Sequence, residues 1–179
     1  DLASDMAERP AVWYKNLFQP NDFWGNFKRN ITHEGHPPLY MVSLKTWTAV
    51  FGANPYNIRL FSVVLSIVTI FVYYELSKLW LTGPLPLLAT AFLAFSPFHI
   101  FFAQEARNYT LSWFFISIAL YTASRVYVKR DYRPWVWILW FAGVFGSVSS
   151  HYYTAILCFI IAIPLILQRE EGFSVKKLI

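Results

Sequence analysis

Acids and bases able to act together occur in three short stretches of this chain. Asp1, Asp5, Glu34 and His36 lie near the start, Arg59 precedes a long apolar run, and Glu105, Arg107 and Tyr109 sit between two more. The mixture suits transfer of a glycosyl group away from a phosphate. Such a reaction develops oxocarbenium character at the sugar and releases the phosphate. A carboxylate can deprotonate or orient the acceptor, and cations can hold the leaving phosphate and stabilise its growing charge. The ordinary alternative for any one of these groups is mutual pairing, or snorkelling at a membrane surface. Other chemistries find less support. His33-x-x-His36 has metal-ligand spacing, but the adjoining Gly35 and Pro37 argue against the helix that would aim both rings at one ion. A divalent cation therefore has no clear ligand set. HExxH, P-loop, GxGxxG and CxxC patterns are absent from the sequence.

The elements that must position these groups are membrane helices. Of the 179 residues, 56% are hydrophobic and only 14% charged, against about 25% charged in a soluble domain. Charges are missing altogether from Leu60–Tyr74, Leu79–Gln104, Asn108–Ser124 and Pro134–Gln168. A crossing needs about 20 apolar residues, so the last run is long enough for two. A soluble all-α protein would show a polar stripe along each helix, and these runs are read as lacking one. The expected fold is an all-α integral membrane protein, a polytopic helical bundle. Residues 1–55 would form an extracytoplasmic first loop with juxtamembrane helices, and 56–179 a transmembrane bundle. Its spans would be Asn57–Leu79, Pro84–Gln104, Asn108–Tyr127, Pro134–Ser149 and Tyr152–Gln168, the last two forming a tight hairpin. Pro37 and Pro38 open a further amphipathic stretch, Leu39–Phe51, ended by Gly52. Its shortness and Lys45 favour a place at the membrane interface over a crossing, which would move Asp1–Gly35 to the cytoplasmic side. The ends of the chain read as cut, so a fragment of a longer protein lacking at least one upstream helix is expected. Cys158 lies in an apolar run, where a core or lipid-facing place is expected.

Charge placement orients the bundle. Arg125, Lys129, Arg130 and Arg133 fill one short loop, Arg169, Lys176 and Lys177 follow the last span, and Lys78 lies two spans before the first group. The positive-inside rule makes that side cytoplasmic. Tyr56–Arg59, Glu105–Arg107 and His151 then share the opposite face. The net charge of +5 reads as topology and not as nucleic-acid binding.

Two sets of short motifs carry a family resemblance. One is His36-Pro-Pro-Leu-Tyr40, then Phe51-Gly52, then Arg59-Leu-Phe-Ser62. The other is Ser96-Pro97, then Gln104-Glu-Ala-Arg-Asn-Tyr109. In this order they resemble the protein mannosyltransferase and aminoarabinose transferase superfamily, in its bacterial and archaeal branch, from His36 to about Tyr153. The resemblance implies a GT-C fold and an inverting glycosyltransferase of the cell (inner) membrane. Its donor would be a polyprenyl-phosphate or dolichyl-phosphate sugar, and its acceptor a protein, lipid or glycan on the extracytoplasmic face. The family's first loop begins Asp-Glu-Ala; the match here is Asp1-Leu2-Ala3, with Leu2 in place of Glu. The resemblance thus makes Asp1 the candidate catalytic base, with Asp5 as fallback. It puts His36 near the donor phosphate and Arg59 at the outer start of a span. It makes Glu105 and Arg107 part of the second outer loop lining the site; Glu34 and Tyr109 join them as candidate substrate-binding residues by their place on the outer face. The family's later helices and C-terminal outer domain are expected beyond this stretch. Two other functions stay open: a non-catalytic subunit of the same fold, which Leu2 favours, and a lipid or sugar transporter. Charge-free mid-depth runs speak against the transporter.

Overall fold

A computed structural model describes residues 37–171, with side chains as far as residue 166. Asp1, Asp5, Glu34 and His36, and with them most of the expected first loop, lie outside the described residues. Among the described residues seven helices follow in order: α1 (Pro38–Phe51), α2 (Pro55–Trp80), α3 (Leu85–Ala94), α4 (Pro97–Gln104), α5 (Tyr109–Lys129), α6 (Pro134–Ser150) and α7 (Thr154–Glu171). No strand occurs among the described residues. Prolines punctuate the helix starts. Pro38, Pro55, Pro97 and Pro134 each sit in a first turn, where a missing N–H costs nothing. Gly52 ends α1 with φ 88°, a backbone angle that a side chain rarely tolerates.

α2 and α5 are each long and apolar enough to cross a membrane. The expected single span Pro84–Gln104 is instead broken into α3 and α4, which meet at 50°. Pro97 is the cause. Its ring drives Ser96 out of the helical region, to φ −62° and ψ 126°, so α3 stops and α4 starts afresh. This bent pair makes a third crossing if it acts as one span. α6 and the Thr154–Ile166 part of α7 are shorter apolar helices. At 17 residues, α6 is about 25 Å long, slightly short of a hydrocarbon layer of about 30 Å.

The packing reverses that of a soluble protein. Ser62, Thr122, Ser147 and Ser150 are wholly buried, whereas Phe92 and Phe95 are about 80% exposed. Helix α2 presents Ser62, Ser66, Thr69 and Ser77 inward, and α6 presents Gly143, Gly146, Ser147 and Ser150. The expectation that the apolar runs lack a polar stripe is therefore corrected: small hydroxyl residues form one, and it faces the bundle. Lipid tails are as apolar as leucine, so helices in a bilayer gain little by burying leucine against each other. They gain by close approach of small side chains. Many of the hydroxyls are satisfied within their own helix, donating to the carbonyl four residues back: Thr69 to Leu65 at 2.8 Å, Ser77 to Tyr73 at 2.8 Å, Thr122 to Ile118 at 2.8 Å and Ser150 to Gly146 at 2.7 Å. His99 is buried and pairs with Ser66 Oγ at 2.6 Å. Helix α5 is the hub, touching α2, α4, α6 and α7.

The bundle has two chemically distinct ends. At one, Trp80 Nε1 donates to Ser124 Oγ at 3.1 Å and its ring stacks on Tyr127 at 5.9 Å. This brings the last turns of α2 and α5 together, so Lys78 shares an end with the loop from Arg125 to Arg133. Asp131 organises that loop. It accepts from Arg125 Nη2 at 2.6 Å and Arg133 Nη2 at 2.8 Å, with further bonds from both Nε atoms. The Arg133 hydrogen bonds, seconded by those of Arg125, hold the Asp131 carboxyl well below its ordinary value of 3.8, despite an opposing cost of desolvation. A carboxylate with a depressed folded-state pKa contributes stability above the unfolded-state value and loses it as pH falls through the folded one. The thermal midpoint gap between wild type and Asp131→Asn should thus stay constant from neutral pH to about pH 5. It should close only below 3.8. A gap already closing near neutral pH would mean that another group sets it.

Candidate functional site

The opposite end of the bundle holds the described candidate site residues, Arg59, Glu105, Arg107 and Tyr109. It is built on one apolar cluster. Tyr40 and Leu44 of α1, Ile58 and Phe61 of α2, and Leu111 of α5 are buried together, with Trp47, Ala106 and Phe115 packed on them. Segments far apart in the chain, from the Pro-Pro-Leu-Tyr motif to the Glu-Ala-Arg-Asn-Tyr motif, are joined here. Polar contacts fix the α1–α2 junction. Trp47 Nε1 donates to the Asn57 carbonyl at 2.8 Å, and the Asn54 side chain caps α2 by accepting from Asn57 N at 2.8 Å. Asn57 Nδ2 also donates to the Phe51 carbonyl.

Arg59 emerges one residue after the buried Ile58, in the first turns of α2. It is exposed and has no ion-pair partner among the described residues. Ala106 packs against the same cluster, which sets its neighbours Glu105 and Arg107 at the same end. The chain between α4 and α5 turns tightly, with Arg107 N donating to the Glu105 carbonyl at 2.9 Å. The side chains close the turn as an ion pair, Arg107 Nε to Glu105 Oε2 at 3.4 Å, with Arg107 the more exposed partner at 62%. Exposed pairs of this kind contribute little to stability, so the pair leaves the guanidinium available to a ligand.

Tyr109 opens α5 with its ring between Phe102 at 4.9 Å and His151 at 5.5 Å. His151 also meets Tyr153 at 5.6 Å. Asn108 Nδ2 donates to the Ser150 carbonyl at 2.7 Å, tying the loop to the end of α6. His151 and Asn108 are thus parts of this end that residue types alone did not single out as site residues. The available signal was a polar His-Tyr-Tyr turn between two apolar runs. Arg59, Glu105, Arg107 and Tyr109 are brought to one end; Asp1, Asp5, Glu34 and His36 lie outside the described residues. Among the described residues, no group of three or more His, Cys, Asp or Glu side chains could hold a metal ion.

No curated protein and no solved structure matches the chain. The model of one family does, that of the dolichyl-phosphate-mannose-protein mannosyltransferases, over residues 35–179. The match takes in α1 to α7, including both halves of the apolar cluster and the Glu105–Tyr109 loop. Inward-facing small residues, outward-facing phenylalanines and helices of crossing length accord with it. By this match the chain belongs to the dolichyl-phosphate-mannose-protein mannosyltransferase family, a family of membrane glycosyltransferases.

Proposed function

We propose that this chain is the donor-binding part of an inverting glycosyltransferase. It would move a sugar from a polyprenyl-phosphate or dolichyl-phosphate donor to a protein, lipid or glycan acceptor. The reaction takes place on the extracytoplasmic face of the cell membrane. The acceptor hydroxyl attacks the anomeric carbon, the bond from that carbon to the phosphate oxygen breaks, and its electron pair stays on the phosphate. Asp1 takes the acceptor proton, with Asp5 as the alternative base. His36, joined directly to the buried Pro37 at the start of α1, serves the donor phosphate, as does Arg59. Glu105 holds Arg107 in place, and Arg107 balances charge as the phosphate leaves. Glu34 and Tyr109 line the sugar side. The donor lipid stays in the bilayer against the outward apolar faces. The observation that supports this reading is the gathering of Arg59 and the Glu105–Tyr109 loop at one end, on a shared core.

The test is transfer by the full-length protein in liposomes from a radiolabelled polyprenyl-phosphate sugar. Arg107→Ala should lower turnover by about tenfold to a hundredfold, the loss of one charge-assisted contact to the leaving group, with a smaller change in donor binding. Arg59→Ala should weaken donor binding more than turnover. A second reading, a non-catalytic member of the same fold, rests on Leu2 at the usual glutamate position. Wild-type protein that binds the donor and turns over no lipid-linked sugar would decide for it.

A further inference from the structure

The basic end of the bundle carries a second feature, at the far end from the proposed donor site. An open cleft of about 590 Å³ lies between the end of α2 and the α5–α6 loop. Leu79 forms its apolar wall. Arg125, Lys129, Arg130, Arg133 and Asp131 form the polar one. We propose that this cleft binds a phosphate group, that of an anionic phospholipid headgroup in the leaflet at this end.

Positive-inside topology explains why cations stand here but not how they are held. Topology needs only charge on the correct side. Here Asp131, its side chain only 8% exposed, clamps two guanidiniums at once. Both also lie over the Trp135 ring, Arg125 at 4.9 Å and Arg133 at 5.1 Å, and Arg125 Nη1 donates to Tyr121 Oη at 2.9 Å. Two long side chains are thereby set before any ligand arrives, which removes part of the ordering cost of binding. One carboxylate cannot neutralise Arg125, Lys129 and Arg133 together. Asp131 engages Nε and Nη2 of Arg133, while a guanidinium carries five N–H donors. Arg133 is 60% exposed at its side chain, and Lys129 is exposed with no ion-pair partner among the described residues. A fork of donors beside a point charge is what phosphate oxygens accept from. The cleft sits at the ends of α2 and α5, the two helices of full crossing length, and so at headgroup depth. Leu79 offers the wall that a glycerol or acyl segment needs. Basic pockets between helix ends hold anionic headgroups on this principle.

The experiment uses the full-length protein in detergent, titrated with phosphatidylglycerol or phosphatidylcholine and read by native mass spectrometry. A parallel arm measures the thermal midpoint against inorganic phosphate. Phosphatidylglycerol should be retained in preference to phosphatidylcholine. Lys129→Gln, which leaves the Asp131 clamp intact, should weaken its binding about fivefold, and adding Arg133→Gln about twenty-five-fold in all. Lys78→Gln removes an equal charge at the same end but outside the cleft, and should change binding less than twofold. A Lys129-dependent midpoint shift with phosphate, without preference between the lipids, assigns the same site to soluble phosphate. Equal retention of both lipids with no phosphate response overturns the proposal. So does Lys78→Gln acting as strongly as Lys129→Gln, because the effect is then general surface charge.

Discussion

Gly143→Val is expected to keep α6 from docking on α5, and so to abolish recovery of a monodisperse protein. A Cβ at Gly143 would stand 2.8 Å from the Ala119 amide nitrogen and 2.9 Å from the Phe115 carbonyl oxygen. Both are backbone atoms of a helix and cannot rotate away. Overpacking in a tight core costs about 1–3 kcal/mol when side chains can adjust; here the helices themselves must separate, so the upper end or beyond is expected. The lost contact is also the one on which α6 depends, since its inward face is Gly143, Gly146, Ser147 and Ser150. Gly146 provides the comparison. A Cβ there would run into the Phe115 side chain, its Cγ included, and that side chain can swing about χ1 where backbone atoms cannot. Gly146→Ala should therefore be milder, and Phe115→Ala, which removes the clashing Cγ, should relieve it, whereas no single side-chain change should rescue Gly143→Val. The readouts are the size-exclusion profile after detergent extraction and the thermal midpoint. A wild-type midpoint for Gly143→Val would show that α5 and α6 do not approach this closely.

Asp1→Asn in the full-length protein is expected to lower sugar transfer by about 10²–10⁴-fold, the range for removing a positioned general base, with insertion and donor binding retained. Asparagine keeps the shape of aspartate and its hydrogen-bonding carbonyl but cannot take the acceptor proton. The effect should therefore fall on turnover and not on donor affinity, unlike that of Arg59→Ala. Asp5→Asn should have the smaller effect if Asp1 is the base. Full activity in Asp1→Asn with loss in Asp5→Asn would move the role four residues on. Full activity in both would end the carboxylate mechanism. The cleft at the basic end is independent of this outcome, since its lipid binding is read without turnover.

Properties that depend on a residue and its near neighbours were legible in the sequence. Apolar run length and charge placement put spans at Asn57–Leu79 and Asn108–Tyr127, where the structure has the helices Pro55–Trp80 and Tyr109–Lys129, without any knowledge of partners, because the free energy of a residue in hydrocarbon is largely its own. Proline positions located the starts at Pro38, Leu85 and Pro134 to within a residue, since the effect of a pyrrolidine ring on its neighbours is local. Motif order brought out Arg59, Glu105, Arg107 and Tyr109, and the structure sets all four at one end. What only the tertiary structure decided concerns faces and meetings. In a charge-free run both sides of a helix look alike, so hydropathy did not reveal that Ser62, Ser66, Thr69 and Ser77 point inward. Run length also hid the break at Ser96, where a local steric effect overrides a continuous apolar signal. Gly143 is indistinguishable from any other glycine until α5 lies against it. The same holds for Asp131 between two arginines, and for His151 against Tyr109, 42 residues away in sequence. Solvation is set residue by residue, and sequence carries it. Helix contact, charge clamping and ring stacking need two partners, and their meeting is settled by the packing of the whole bundle.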